Sequence, residues 1–108
     1  MGKYGPFTGT SKRRDNYRVA VLDMDELFDI IIDCARLHLN KARDAFSSKQ
    51  SDNNIIYDTA MYIGAALSDL KLMKDEWLTP EQNATTLRIM QDVARLMEEM
   101  ERRFNITR

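Results

Sequence analysis

From Val19 to Arg108 the chain contains one glycine, Gly64, and one proline, Pro80. Glycine and proline punctuate turns and loops, and a sheet of short strands needs many of them. Ninety residues with one of each therefore predict long helices and few connections. The remaining glycines, Gly2, Gly5 and Gly9, and the other proline, Pro6, all fall in the first nine residues. Charge divides at a similar place. Lys3, Lys12, Arg13, Arg14 and Arg18 stand against Asp15, so residues 1–18 carry +4. The whole chain carries only −1, which leaves −5 on residues 19–108. Residues 1–18 show no helical or alternating period and read as a flexible basic arm, and residues 19–108 as a helical bundle domain. Between the two, Val19-Ala20-Val21-Leu22 is a short β-prone run that extends along the bundle or leads into the first helix.

At 108 residues, 44% hydrophobic and 31% charged, the chain has room for one core and the composition of a globular protein. Its apolar runs are only a few residues long, which excludes a membrane span, and no apolar signal region opens the chain. One cysteine, Cys34, excludes an internal disulfide and fits a reducing, cytoplasmic setting.

Caps and periodicity place helices at about 24–46, 53–77 and 80–104. Asp23 is an N-cap with Glu26 three residues on, and Leu22 and Leu27 are placed to form a hydrophobic staple. From Leu27 to Phe46 the apolar positions cover an arc of roughly 220° at ~100° per residue, wider than a surface helix needs. Leu27, Ile31, Cys34, His38 and Ala45 line its centre, with Ile30 and Leu37 on one flank and Phe28, Ile32 and Leu39 on the other. Residues 47–52 are polar and read as a loop in which Ser51 or Asp52 caps the second helix. There Ile55, Ile56, Thr59, Ile63, Ala66, Leu70, Met73 and Trp77 keep to one face. A second stripe, Tyr57, Met61, Gly64, Ala65, Ser68 and Leu72, has small residues at its middle. A helix of the same bundle is the simpler occupant of that stripe; an external partner is the other.

Thr79, Pro80 and Gln82 form the clearest helix start, a capping box with proline at the first helical position. Met90, Val93, Met97, Met100 and Phe104 then give a seam widened by Ile89 and Leu96. Arg88–Asp92, Glu98–Arg102 and Glu99–Arg103 are opposite charges four apart on the outer face. The sum is an all-α, antiparallel three-helix bundle, thin for its apolar surface; a second copy in a homodimer is the simplest way to complete it, a partner protein or the arm folding back the others.

Chemistry is sparse. There is no glycine-rich phosphate loop, no histidine pair and no CxxC. His38, the only histidine, reads as a hydrogen-bonded core residue rather than a titrating switch or lone metal ligand, and Cys34 as a small core residue. Asp25, Asp29 and Asp33 step by four beside Glu26, and the Asp25-Glu26-x-x-Asp29 run faintly resembles all-α nucleotide pyrophosphohydrolases. Those need a second acidic pair, which Asp69, Asp75 and Glu76 do not form, so the stripe reads as a solvated face. No catalytic residue, cofactor or metal site is expected. The seven methionines read as core filler, although thioethers also suit varied partners. In the arm, Lys12, Arg13, Arg14 and Arg18, with Tyr4, Phe7 and Tyr17, suit phosphate contacts and base stacking.

Glu26-Leu27, Asp33, Ala35, Leu39, Ala42 and Ala45, with Tyr17 upstream, resemble the opening helix of FliS-type flagellar export chaperones; Ala84, Leu87, Met90 and Asp92 echo that family's third helix. The resemblance covers about a quarter of the chain. It implies a small antiparallel bundle whose apolar grooves hold the disordered end of flagellin before export. That family's last helix has no counterpart here, and the basic arm is foreign to it. The reading that follows is a non-enzymatic interaction protein, an adaptor, chaperone or small inhibitor, binding another protein through an apolar helix face. The alternative is a nucleic-acid-associated regulator that uses the arm.

Overall fold

The computed structural model describes residues 23–73 and 75–106. Along them lie α1 (Met24–Phe46), α2 (Asp52–Lys71), a 3-10 turn (Asp75–Trp77) and α3 (Pro80–Phe104). No strand occurs among the described residues, and the helices pack as a bundle. The basic arm, Val19–Leu22 and the Leu22 half of the staple lie outside the described residues.

Each helix begins where a side chain satisfies a backbone N–H that the helix itself cannot. Asp23 Oδ1 accepts from the Glu26 N–H at 2.7 Å. Ser51, rather than Asp52, caps α2 by accepting from the Asn54 N–H at 3.4 Å. Before α3, Thr79 Oγ1 accepts from the Gln82 N–H at 3.1 Å while Gln82 Oε1 accepts from the Thr79 N–H at 3.0 Å. Pro80 at the first position forgoes a donor that would have had no helical acceptor. At the far end of α3, Asn105 takes the left-handed conformation (φ 54°) that closes a helix.

α2 stops at Lys71, short of the 53–77 read from its periodicity. The N–H groups of Leu72 and Met73 bond back three residues, to Asp69 and Leu70. That tightening precedes the 3-10 turn, which lays Trp77 and Leu78 with Met73 against Met24, Leu27, Phe28 and Ile31 of α1.

The core is built from Phe28, Ile32, Ala35, Leu39 and Ala42 of α1, Ile63, Ala66 and Leu70 of α2, and Ile89, Val93 and Leu96 of α3. Each fully buried Leu, Ile or Val side chain there contributes about 1.5–3 kcal/mol from apolar transfer. On α1 the buried face takes in one flank of the predicted arc and, from its centre, Ile31, while Leu27, His38 and Ala45 are half-buried. Ala35 and Ala42 are fully buried, while Cys34, Ile30 and Leu37 are exposed. Small side chains let neighbouring backbones approach closely, so the alanines hold the centre of the contact, Phe28, Ile32 and Leu39 fill in around them, and the Ile30–Leu37 flank turns outward. The α3 seam is turned in the same way: Ile89, Val93, Leu96 and Met100 are buried, Met97 and Phe104 are half-buried, and Met90 is exposed.

Contacts across the bundle fix how α3 lies on α1. Gln82 Nε2 donates to Asp25 Oδ1 at 2.8 Å, and Arg43 faces Asp92 at 3.9 Å. Arg103 donates to the Phe46 carbonyl at 2.6 Å, with its guanidinium 5.0 Å from the Phe46 ring and 4.7 Å from the Phe104 ring. That clamp occupies a carbonyl that the end of α1 leaves open. It also takes Arg103 from the pairing with Glu99 read from the sequence. Asp92 likewise bonds Arg95 at 3.0 Å and faces Arg43, so Arg88–Asp92 is not among the ion pairs formed.

Candidate functional site

Among the described residues no helix covers the second stripe of α2, where a helix of the same bundle was the simpler expectation. Tyr57 is 69% exposed, Met61 47% and Leu72 63%. Gly64 and Ser68 are exposed and Ala65 is half-buried. A methyl group built on Gly64 would meet nothing within 4 Å. α2 spends its other side on the core, through Ile55, Thr59, Ile63, Ala66 and Leu70. What remains is an apolar strip with a shallow middle, about 22 Å long at ~1.5 Å per residue. Exposed apolar side chains in a contiguous line mark docking surfaces in soluble proteins.

Beside this strip, Leu67 and Leu70 of α2, Met73 just beyond its end, and Thr86 and Met90 of α3 line an apolar groove of about 250 Å³. The sequence reading missed it, because it placed Met90 in the seam. The neighbouring Ile89 takes the buried position instead.

α1 carries a separate exposed strip, Ile30 (49%), Cys34 and Leu37 (53%). Cys34 is thus a surface thiol, not a core residue. His38 is half-buried at the edge of α1, and its Nδ1 lies 2.6 Å from Asp69 Oδ2 of α2. With a carboxylate as acceptor, Nδ1 carries the proton. The imidazole is therefore held in a structural bond, as a satisfied histidine. Lys41 lies 6.0 Å from the Tyr62 ring on the same edge.

Between α1 and α3 lies a polar cleft of about 200 Å³, lined by Arg36, Asn40 and Arg43 on one side and Thr85, Arg88 and Asp92 on the other. Arg36 and Arg43, seven apart on α1, were the sequence signal for it. The acidic residues Asp25, Glu26, Asp29 and Asp33 are all exposed. Among the described residues no three His, Cys, Asp or Glu side chains gather as a metal site. None of the described helices is long and apolar enough to cross a membrane. Lys12, Arg13, Arg14 and Arg18 lie outside the described residues.

The residues that carry the FliS-type pattern include Ala35, Leu39 and Ala42, which face the core of this bundle. Compared with known protein families, with curated proteins and with solved structures, the chain shows no significant match.

Proposed function

We propose that this chain is a non-enzymatic interaction module that binds another protein through the outward face of α2. The observation that carries the reading is the solvent-facing line Tyr57, Met61 and Leu72, with Gly64 open between them. A helix or extended segment of a partner laid along that line would cover apolar surface that the bundle leaves in water. Aromatic and methionine side chains supply large contact area, and methionine adapts to irregular partners. In this reading the chain is a cytoplasmic adaptor, chaperone or inhibitor. Neighbouring helices run antiparallel, which the five-residue loop 47–51 favours, and the molecule acts as a homodimer. The likeness of α1 to FliS-type chaperones points the same way, toward a bundle that holds a segment of another chain.

Affinity capture from the native cell, with partners identified by mass spectrometry, tests the reading. Met61→Glu and Leu72→Glu place charge on the α2 strip without entering the core, and circular dichroism checks that helix content is kept. A partner lost from both variants supports the proposal; the same partners retained by both overturns it.

The arm gives the second reading, in which four net positive charges on residues 1–18 hold nucleic-acid phosphates. It predicts salt-dependent retention on DNA or RNA that disappears in a chain beginning at Val19. Retention unchanged by that truncation overturns it.

A further inference from the structure

The geometry points to a second copy of this chain as the occupant of the exposed α1 strip, docked antiparallel about a twofold axis at Cys34. This rests on the homodimer reading above, but it uses a surface separate from the α2 line. On α1, Glu26, Ile30, Cys34, Leu37 and Lys41 follow one another at steps of four, four, three and four. At ~100° per residue they fall within an arc of about 80° and form one strip. The middle is apolar and exposed. Glu26 stands at one end and Lys41 at the other, with exposed Asp44 one turn beyond Lys41 on the same arc, and neither Glu26 nor Lys41 enters an ion pair within 4.0 Å among the described residues.

That arrangement is complementary to itself in one orientation only. Glu26 lies eight residues before Cys34 and Lys41 seven after it; Ile30 lies four before and Leu37 three after. Two strips laid antiparallel with their Cys34 residues opposed set Ile30 on Leu37 and Glu26 on Lys41. The twofold repeats both contacts. Laid parallel, the same strips set Glu26 against Glu26 and Lys41 against Lys41. Charge therefore selects the antiparallel pair, and the apolar middle supplies the attraction.

Among the described residues no helix covers the apolar middle of the strip, Ile30, Cys34 and Leu37, which stays exposed. α2 holds the adjoining edge through His38–Asp69 and Lys41–Tyr62. α3 meets α1 on another side, at Asp25, Arg43 and Phe46. One helix face about 23 Å long is a small interface, so the pair should exchange at micromolar concentration rather than form an obligate dimer.

Sedimentation equilibrium of the full chain from about 5 to 500 µM, the range expected for a weak pair, tests this. The expected result is a mass that rises with concentration from one chain to two. A mass that stays at one chain throughout, or that settles at a higher multiple, overturns the proposal. Lys41→Glu and Glu26→Lys each turn two attractive contacts repulsive and should weaken association about tenfold. The double variant Glu26→Lys/Lys41→Glu should restore it. Singles that associate normally, or a double that stays weak, overturn the antiparallel pairing. A short bismaleimide should join wild-type chains through Cys34, and Leu37→Glu should abolish that product with helix content unchanged. Met61→Glu leaves the strip intact and should leave the mass unchanged, so loss of dimerisation and loss of partner capture are read separately.

Discussion

His38 and Asp69 join α1 to α2 across 2.6 Å, at the boundary between the packed core and the exposed α1 strip. The bond links residues 31 apart in sequence and is half-buried, so water competes for it only in part. Removing one partner leaves the other short of its hydrogen bond, at a cost of about 1 kcal/mol. Asp69→Ala and His38→Phe, which remove the acceptor and the donor, should each lower stability by roughly that amount in urea unfolding. A double-mutant cycle should return a coupling of similar size. Additive single effects would show that the contact contributes nothing.

Leu39 and Leu37 sit two residues apart on α1, one buried and the other 53% exposed. Leu39→Ala removes core contacts made with α2 and α3 and should cost about 2–5 kcal/mol. Leu37→Ala, measured at dilution where chains are single, should cost under about 1 kcal/mol. Equal costs would contradict the assignment of the buried face.

Thr59 is fully buried and its Oγ1 has no hydrogen-bond partner. Valine has nearly the same shape without the hydroxyl. Thr59→Val should therefore raise stability by about 1 kcal/mol, read as a higher urea midpoint at unchanged slope. A lower midpoint would show that the hydroxyl is satisfied.

Asp23 should make the start of α1 sensitive to acid. The backbone N–H of Glu26, foremost, holds its carboxyl below the usual carboxylate range, and the side-chain interaction with Glu26 acts the same way. A depressed folded-state value means that the cap stabilises above the ordinary carboxylate pKa and is lost as pH falls through the folded one. Amide exchange at Glu26 and Leu27 should accelerate on that acid limb, and the acceleration should be absent in Asp23→Asn, whose amide oxygen caps without titrating. An identical acid response in both proteins would rule the cap out as its cause.

Helix starts were legible because a cap is a local event. Thr79, Pro80 and Gln82 complete each other's hydrogen bonds within four residues, and no distant element can alter that. The α2 core face was legible too, since Ile55, Thr59, Ile63, Ala66 and Leu70 form a continuous stripe, whereas the second has Gly64, Ala65 and Ser68 at its middle. α1 was not. Its apolar arc is wider than its neighbours cover, and several rotations about its axis satisfy the pattern equally.

The candidate site was legible as a list of residues but not as a surface. Tyr57, Met61, Gly64, Ala65, Ser68 and Leu72 stand at helical spacing whether or not a helix covers them. Only the position of α3 decides that, and α3 packs on the core face instead, where Ile63, Ala66 and Leu70 share one cluster with Ile89, Val93 and Leu96. The partners of Asp92 show the same limit: Arg88 is four residues away, yet Arg43 from α1 and Arg95 share its carboxylate.

By itself, then, the sequence determined a chain of three helices, where each begins, and that more apolar surface exists than those helices require. These follow from bonds and periodicities spanning a few residues. Tertiary structure decided which flank of α1 is buried, which residue clamps the end of α3, and which apolar lines face water. Those outcomes depend on how closely two backbones can approach, and Ala35, Ala42 and Ala66 set that distance only once the helices are brought together.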